Sequence, residues 1–132
     1  MSTQASGTYQ VTGWEEEPYD ARDDVIKLTR ARITNSFSGD IEGEGSADCL
    51  MAYPSETYAS FVGLQRVVGS VGGRSGSFIL QTSGVFENGV AKADWFVVPD
   101  SGTGDLKGLS GKGGYVSTDQ TTCDVKLEYD LG

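Results

Sequence analysis

Apolar and polar residues alternate along most of the chain, and almost no stretch repeats at the spacing of an amphipathic helix. Alternation marks strands with one face buried. It predicts strands near 6–14, 25–38, 43–53, 57–71, 75–87, 89–99, 112–118 and 122–130. Turn chemistry separates them at Glu17-Pro18-Tyr19-Asp20, Ser38-Gly39-Asp40, Tyr53-Pro54-Ser55, Val71-Gly72-Gly73, Glu87-Asn88-Gly89 and Pro99-Asp100-Ser101-Gly102. Asn88-Gly89 is the sharpest hairpin signal, because both residues tolerate positive φ. The acidic segment Glu15–Asp24 reads as an irregular surface loop.

The faces are consistent from strand to strand. The second strand sets Ala31, Ile33 and Phe37 against Arg30, Arg32 and Thr34; the third aligns Ala47, Cys49, Met51 and Tyr53; the last aligns Cys123, Val125, Leu127 and Tyr129. The strands 57–71 and 75–87 are apolar on both faces, with Phe61, Val67 and Val71 opposed to Val62, Leu64 and Val68. A second cover is then needed, and a subunit partner is the simplest, so a homo-oligomer is expected. About eight consecutive antiparallel strands joined by short turns make either a sandwich or a closed barrel.

The length of 132 residues fits a single domain, 1–132, with one core. A net charge of −9 speaks against partners recognised through phosphates, so neither nucleic acid nor an anionic membrane surface is expected. The absence of histidine removes Ser-His-Asp and Cys-His catalysis and the usual zinc sites. Two cysteines, Cys49 and Cys123, do not make a disulfide scaffold, and both fall on the inner faces as buried thiols. The first residues lack a basic and then apolar leader, and no apolar run reaches a membrane span. A cytoplasmic protein with reduced thiols is the expectation.

Candidate chemistry is sparse. The glycines from 102 to 114 match neither a Walker loop nor a dinucleotide fingerprint in spacing, and read as permitting bends and close strand approach. Glu42 and Glu44 share a strand face with Asp40 and Asp48; Glu44 is a candidate acid or base, and a solvated rim is the plainer reading. A calcium loop is absent, and no metal site is expected. Gln65 and Gln81 each interrupt an apolar strand. If odd positions face inward, Phe61, Gln65 and Val67 oppose Ile79, Gln81 and Val85, and the amides either contact a ligand or form a structural network. With the opposite face inward, Arg66 becomes the pocket residue, able to hold a carboxylate. Phe37, Phe61, Trp95, Tyr53 and Tyr129 read as core, or as the lining of an open barrel end together with Cys49 and Met51.

Several segments carry a family resemblance: Gly7-Thr8-Tyr9-Gln10-Val11 through Trp14, Leu28-Thr29-Arg30-Ala31, Phe37-Ser38-Gly39-Asp40-Ile41-Glu42-Gly43-Glu44-Gly45, Phe61-Val62-Gly63-Leu64-Gln65-Arg66-Val67-Val68-Gly69, Gly72-Gly73-Arg74-Ser75-Gly76-Ser77-Phe78 and Gly102-Thr103-Gly104-Asp105-Leu106-Lys107-Gly108-Leu109-Ser110-Gly111. Over essentially its whole length the chain resembles the bacterial domain of unknown function 3224, a group similar to the allene oxide cyclase-like barrels. The resemblance implies an all-β, closed eight-stranded antiparallel barrel of the allene oxide cyclase-like type, oligomeric, with its pocket inside. It further implies cyclisation or isomerisation of a largely apolar small molecule without metal or organic cofactor. In that reading the lumen folds the substrate, Gln65, Gln81 and Tyr53 orient a carbonyl, and Glu44 or a tyrosine carries a proton. A non-catalytic ligand-binding or structural barrel is the rival reading.

Overall fold

In a computed structural model, which describes residues 2–20, 26–117 and 122–131, the alternating segments form eight strands of one closed antiparallel barrel. The strands are β1 (Thr3–Asp20), β2 (Lys27–Gly39), β3 (Ile41–Ser55), β4 (Tyr58–Val71), β5 (Arg74–Glu87), β6 (Val90–Val97), β7 (Ser110–Ser117) and β8 (Thr122–Asp130). Each pairs with its successor, and β8 returns to β1 from Thr3↔Tyr129 to Gln10↔Thr122. Closure decides between the two architectures that the alternation left open, and it removes the exposed edges a sandwich would keep. Among the described residues, no helix is long and apolar enough to cross a membrane.

Turn geometry fixes which residues face inward. Gly72-Gly73 and Asn88-Gly89 are two-residue turns, with φ of 58° and 85° in the first and 53° and 83° in the second. Such left-handed turns match the twist of the strands they join. A two-residue turn also pairs Val71 with Arg74, so odd positions of β4 stand beside even positions of β5. Gln65 therefore pairs with Leu80 on the inside, while Gln81 pairs with Leu64 on the outside. The expected inward set Ile79, Gln81 and Val85 is corrected accordingly: Phe78, Leu80 and Thr82 are the buried residues of β5. The third reversal also moves, because β3 runs through Pro54 to Ser55 and the chain turns at Glu56-Thr57.

β1 departs most from its expected bounds. It continues to Asp20, so Glu15 to Asp20 is strand, not loop; positions 21–24 of that acidic segment lie outside the described residues. Its register slips between Val11↔Asn35 and Gly13↔Thr34, which makes Thr12 a bulge. One extra residue exchanges the two faces of a strand. Before the bulge Ala5, Tyr9 and Val11 lie on the lumen side; after it Trp14 and Glu16 do, opposite Ile33 and Ala31.

The interior divides into a filled half and a roomy half. Phe37, Ile41, Val67, Val71, Phe78 and Leu80 pack with Leu106 and Leu109 from the β6–β7 connection, which contains a 3-10 turn at Gly104–Leu106. That connection closes over the barrel end: the Thr103 N–H donates to the Ser77 carbonyl at 2.8 Å, and the Ser77 N–H to Thr103 Oγ1 at 3.0 Å. Its glycines serve close approach, since a Cβ on Gly102 would run into the Leu106 carbonyl. Toward the other end the inward positions turn small, with Ala31, Ala47, Ala59, Gly63, Ala91 and Ala93. Side chains of that size cannot fill a barrel at native density, so space remains.

Candidate functional site

The space is a cavity of about 520 Å³ lined by residues of β1 through β7. Val11, Ile33, Met51, Phe61, Phe86 and Trp95 supply much of its apolar wall, with Tyr9, Tyr115, Cys49, Asn35, Gln65 and Thr82 as polar points. Among the described residues, no lysine or arginine lines it.

Deep in the wall sits an amide pair. Asn35 Nδ2 donates to Gln65 Oε1 at 2.7 Å, and both residues are buried, at 4% and 6% exposure. The two come from β2 and β4 and meet across β3, where Gly45 pairs with Asn35 and Ala47 with Gln65. A Cβ on Gly45 would run into Gln65 Oε1 and stand 2.8 Å from Phe37, so the missing side chain is what lets the amides touch. Asn35 Oδ1 is left without a hydrogen-bond partner. A buried carbonyl oxygen in that state carries a desolvation penalty that a donor would relieve.

Beside it the aromatic residues form a chain. Tyr9 stacks on Phe37 with ring centres 5.9 Å apart, and Tyr115 lies 5.4 Å from Tyr9 and 5.3 Å from Trp95. Trp95 is anchored by donating its Nε1–H to the Lys126 carbonyl at 3.0 Å. Burial pushes the Tyr9 phenol up to about 12 and the Cys49 thiol up to about 11, and it pushes Tyr115 higher still. These groups are neutral donors and acceptors at ordinary pH.

The charge is held further along the wall, by β1 after its bulge. Glu16 accepts from Thr29 Oγ1 at 2.6 Å, from Trp14 Nε1 at 3.1 Å and from the Tyr53 hydroxyl in a short hydrogen bond. Burial would raise its carboxyl, but the hydrogen bonds from Thr29, Tyr53 and Trp14, with Lys27 nearby, outweigh it and hold the group below the usual carboxylate range. Tyr53 shows the reverse, pushed up to about 12 by burial and by the Glu16 carboxylate it serves. Lys27 Nζ lies 4.9 Å over the Tyr53 ring.

The structure brings together part of the set expected from sequence. Gln65, Tyr53, Cys49, Met51, Phe61 and Trp95 line the cavity. Phe37 lies in the filled half beneath it, and Tyr129 packs against that same half. Glu44, Arg66 and Gln81 are exposed on the outer face, away from the lumen; a two-residue turn accounts for Gln81, and strict alternation with buried Gly45 and Gln65 accounts for the other two. The site also holds polar residues that were not expected, namely Tyr9, Asn35, Thr82 and Tyr115, with Glu16 joined to it through Tyr53. Asn35 stood in the open, sharing the face of Ile33 and Phe37, whereas Glu16 was hidden by the bulge. Among the described residues, no group of His, Cys, Asp or Glu could hold a metal ion.

These features define a closed eight-stranded antiparallel barrel, filled at one end and hollow at the other. The chain belongs to the family described as "Protein of unknown function (DUF3224)", which matches residues 5–129. It is similar to a crystal structure of a DUF3224 protein of unknown function from Shewanella oneidensis MR-1, with 26% identity and a TM-score of 0.80, over 100% of this chain and 99% of that one. No curated protein matches the chain.

Proposed function

We propose that the barrel binds a largely apolar small molecule in its lumen. The observation that carries this reading is the 520 Å³ cavity, apolar over most of its wall and holding a few fixed polar groups. The test is calorimetric titration with methoxynaphthalene, a neutral apolar probe of suitable size, against the parent chain and Ala47→Phe. Ala47 lines the cavity, and a phenyl ring there occupies the space the probe needs. Binding that is present in the parent and lost in a folded A47F protein is the expected result; equal binding by both would place the probe elsewhere and sink the reading.

A cofactor-independent isomerase or cyclase of the allene oxide cyclase-like type is the second reading, favoured by Glu16. Its carboxylate is a fixed proton acceptor among lumen groups that otherwise stay neutral. The walls would restrict the substrate to a reactive conformer, and Gln65 and Tyr53 would orient it. Assembly with further copies of the chain is part of the proposal as well, because Leu50, Val62, Leu64 and Val68 stand exposed on the outer faces of β3 and β4. Sedimentation of Leu64→Lys beside the parent tests it, with dissociation to a smaller species expected.

A further inference from the structure

Resting on the binding reading above, we infer that the floor of the lumen, next to the filled half, is a donor site for a carbonyl oxygen. The natural ligand is then an apolar molecule carrying a ketone, aldehyde or ester, seated oxygen-first, and Gln65 is the residue that recognises it. The hydrogen-bond donors of the cavity that have no acceptor, and where they stand, lead there.

Gln65 is 6% exposed and lies in the cavity wall. Its Oε1 accepts from Asn35 Nδ2, which leaves its own Nε2 with N–H groups and no partner. The two ends of the amide pair differ in access. Asn35 Oδ1 is sealed away, whereas Gln65 Nε2 is not among the sealed atoms, so the open side of the pair is a donor. A largely buried N–H without an acceptor carries a penalty that a ligand oxygen relieves and a hydrocarbon does not.

The tyrosine pair adds a second donor on the same floor. Gly45 leaves the Gln65 amide and the Phe37 ring side by side, and Tyr9 stacks on Phe37. The hydroxyls of Tyr9 and Tyr115 are hydrogen-bonded to each other, and both rings line the cavity. One shared bond engages one of the two O–H groups and leaves the other to donate. Further along the wall the donors are already engaged, because Thr29, Tyr53 and Trp14 all donate to Glu16. Met51, Phe61 and Phe86 supply apolar wall for the remainder of the ligand. A carbonyl therefore finds free donors at the floor, and its hydrocarbon part extends away from them.

Two probes of nearly equal shape test it: acetylnaphthalene, and isopropenylnaphthalene, in which a methylene replaces the carbonyl oxygen. Both are titrated by calorimetry into the parent and into Gln65→Leu. The affinity ratio of ketone to alkene is expected to fall roughly tenfold in the variant, because the cost of leaving water cancels between the two proteins. The infrared carbonyl stretch of acetylnaphthalene bound to the parent is expected at lower wavenumber than in hexane, which reads the hydrogen bond directly and needs no variant to fold. A ratio that does not move in a folded Gln65→Leu protein, or a bound stretch equal to that in hexane, would overturn the inference while leaving the cavity a binding site. Failure of both probes to bind the parent would remove the inference together with the reading beneath it.

Discussion

Gly45 and Gln65 are diagonal neighbours across the β3–β4 ladder, and the amide of Gln65 occupies the volume that a side chain on Gly45 would need. The pairing of Asn35 with Gln65 depends on that vacancy. Gly45→Ala is expected to push the two amides apart and destabilise the barrel by about 1–3 kcal/mol, the range for stranding a buried polar group. Denaturant unfolding measures it. Removing the obstructing amide as well, in Gly45→Ala with Gln65→Ala, should recover part of the loss; strict additivity would show that the two do not compete for space.

The filled half of the barrel and the hollow half should respond oppositely to changes of volume. Phe78 is 1% exposed and packed among the residues that close one end. Phe78→Ala is expected to cost about 3–5 kcal/mol and to lower the melting temperature markedly. Ala47→Phe, which adds bulk to an empty region, should change stability much less than an overpacked core substitution would. Thermal melts of the two variants beside the parent check the contrast.

Acid stability should carry the signature of Glu16. Its folded carboxyl titrates below the ordinary glutamate value, so on acidification the unfolded chain takes up the proton first. The stabilisation is complete above the unfolded value of about 4.3 and is lost as pH falls through the lowered folded value. Glu16→Gln should flatten the dependence of the denaturant midpoint on pH in that acidic window and leave the dependence near neutrality unchanged. An unaltered acid profile would mean that the three hydrogen bonds to the carboxylate contribute nothing to folding.

Alkali tests the tyrosines in the opposite sense. Tyr9 and Tyr53 are pushed up to about 12 by burial, so their contribution is full below the unfolded value of about 10 and fades as pH climbs toward the folded one. Ultraviolet titration of tyrosinate should show a late phase, and Tyr53→Phe should remove part of it. A single early transition with the fold intact would contradict the burial of both rings.

Much of the barrel was legible because strand alternation, turn residues and the absence of helical spacing all agree. The two-residue turns at Gly72-Gly73 and Asn88-Gly89 set the register of β4 with β5 and of β5 with β6. What stayed illegible was parity. β4 is apolar on both faces, so its own pattern cannot say whether Gln65 or Arg66 points inward, and only its pairing with β3, Ala47↔Gln65, decides. Carrying odd numbering from β4 into β5 then misplaced Gln81, because a two-residue turn reverses parity. Glu16 was out of reach for a related reason: the Thr12 bulge shifts the frame of β1 without leaving a mark in composition.

The filled end has a kinetic meaning. Leu106 and Leu109, at 0% and 2% exposure, pack into the filled half behind the cavity, so among the described residues the lumen is blocked on that side. On the binding reading, a guest enters and leaves on the side away from those leucines, so the residence time of one sets the waiting time of the next.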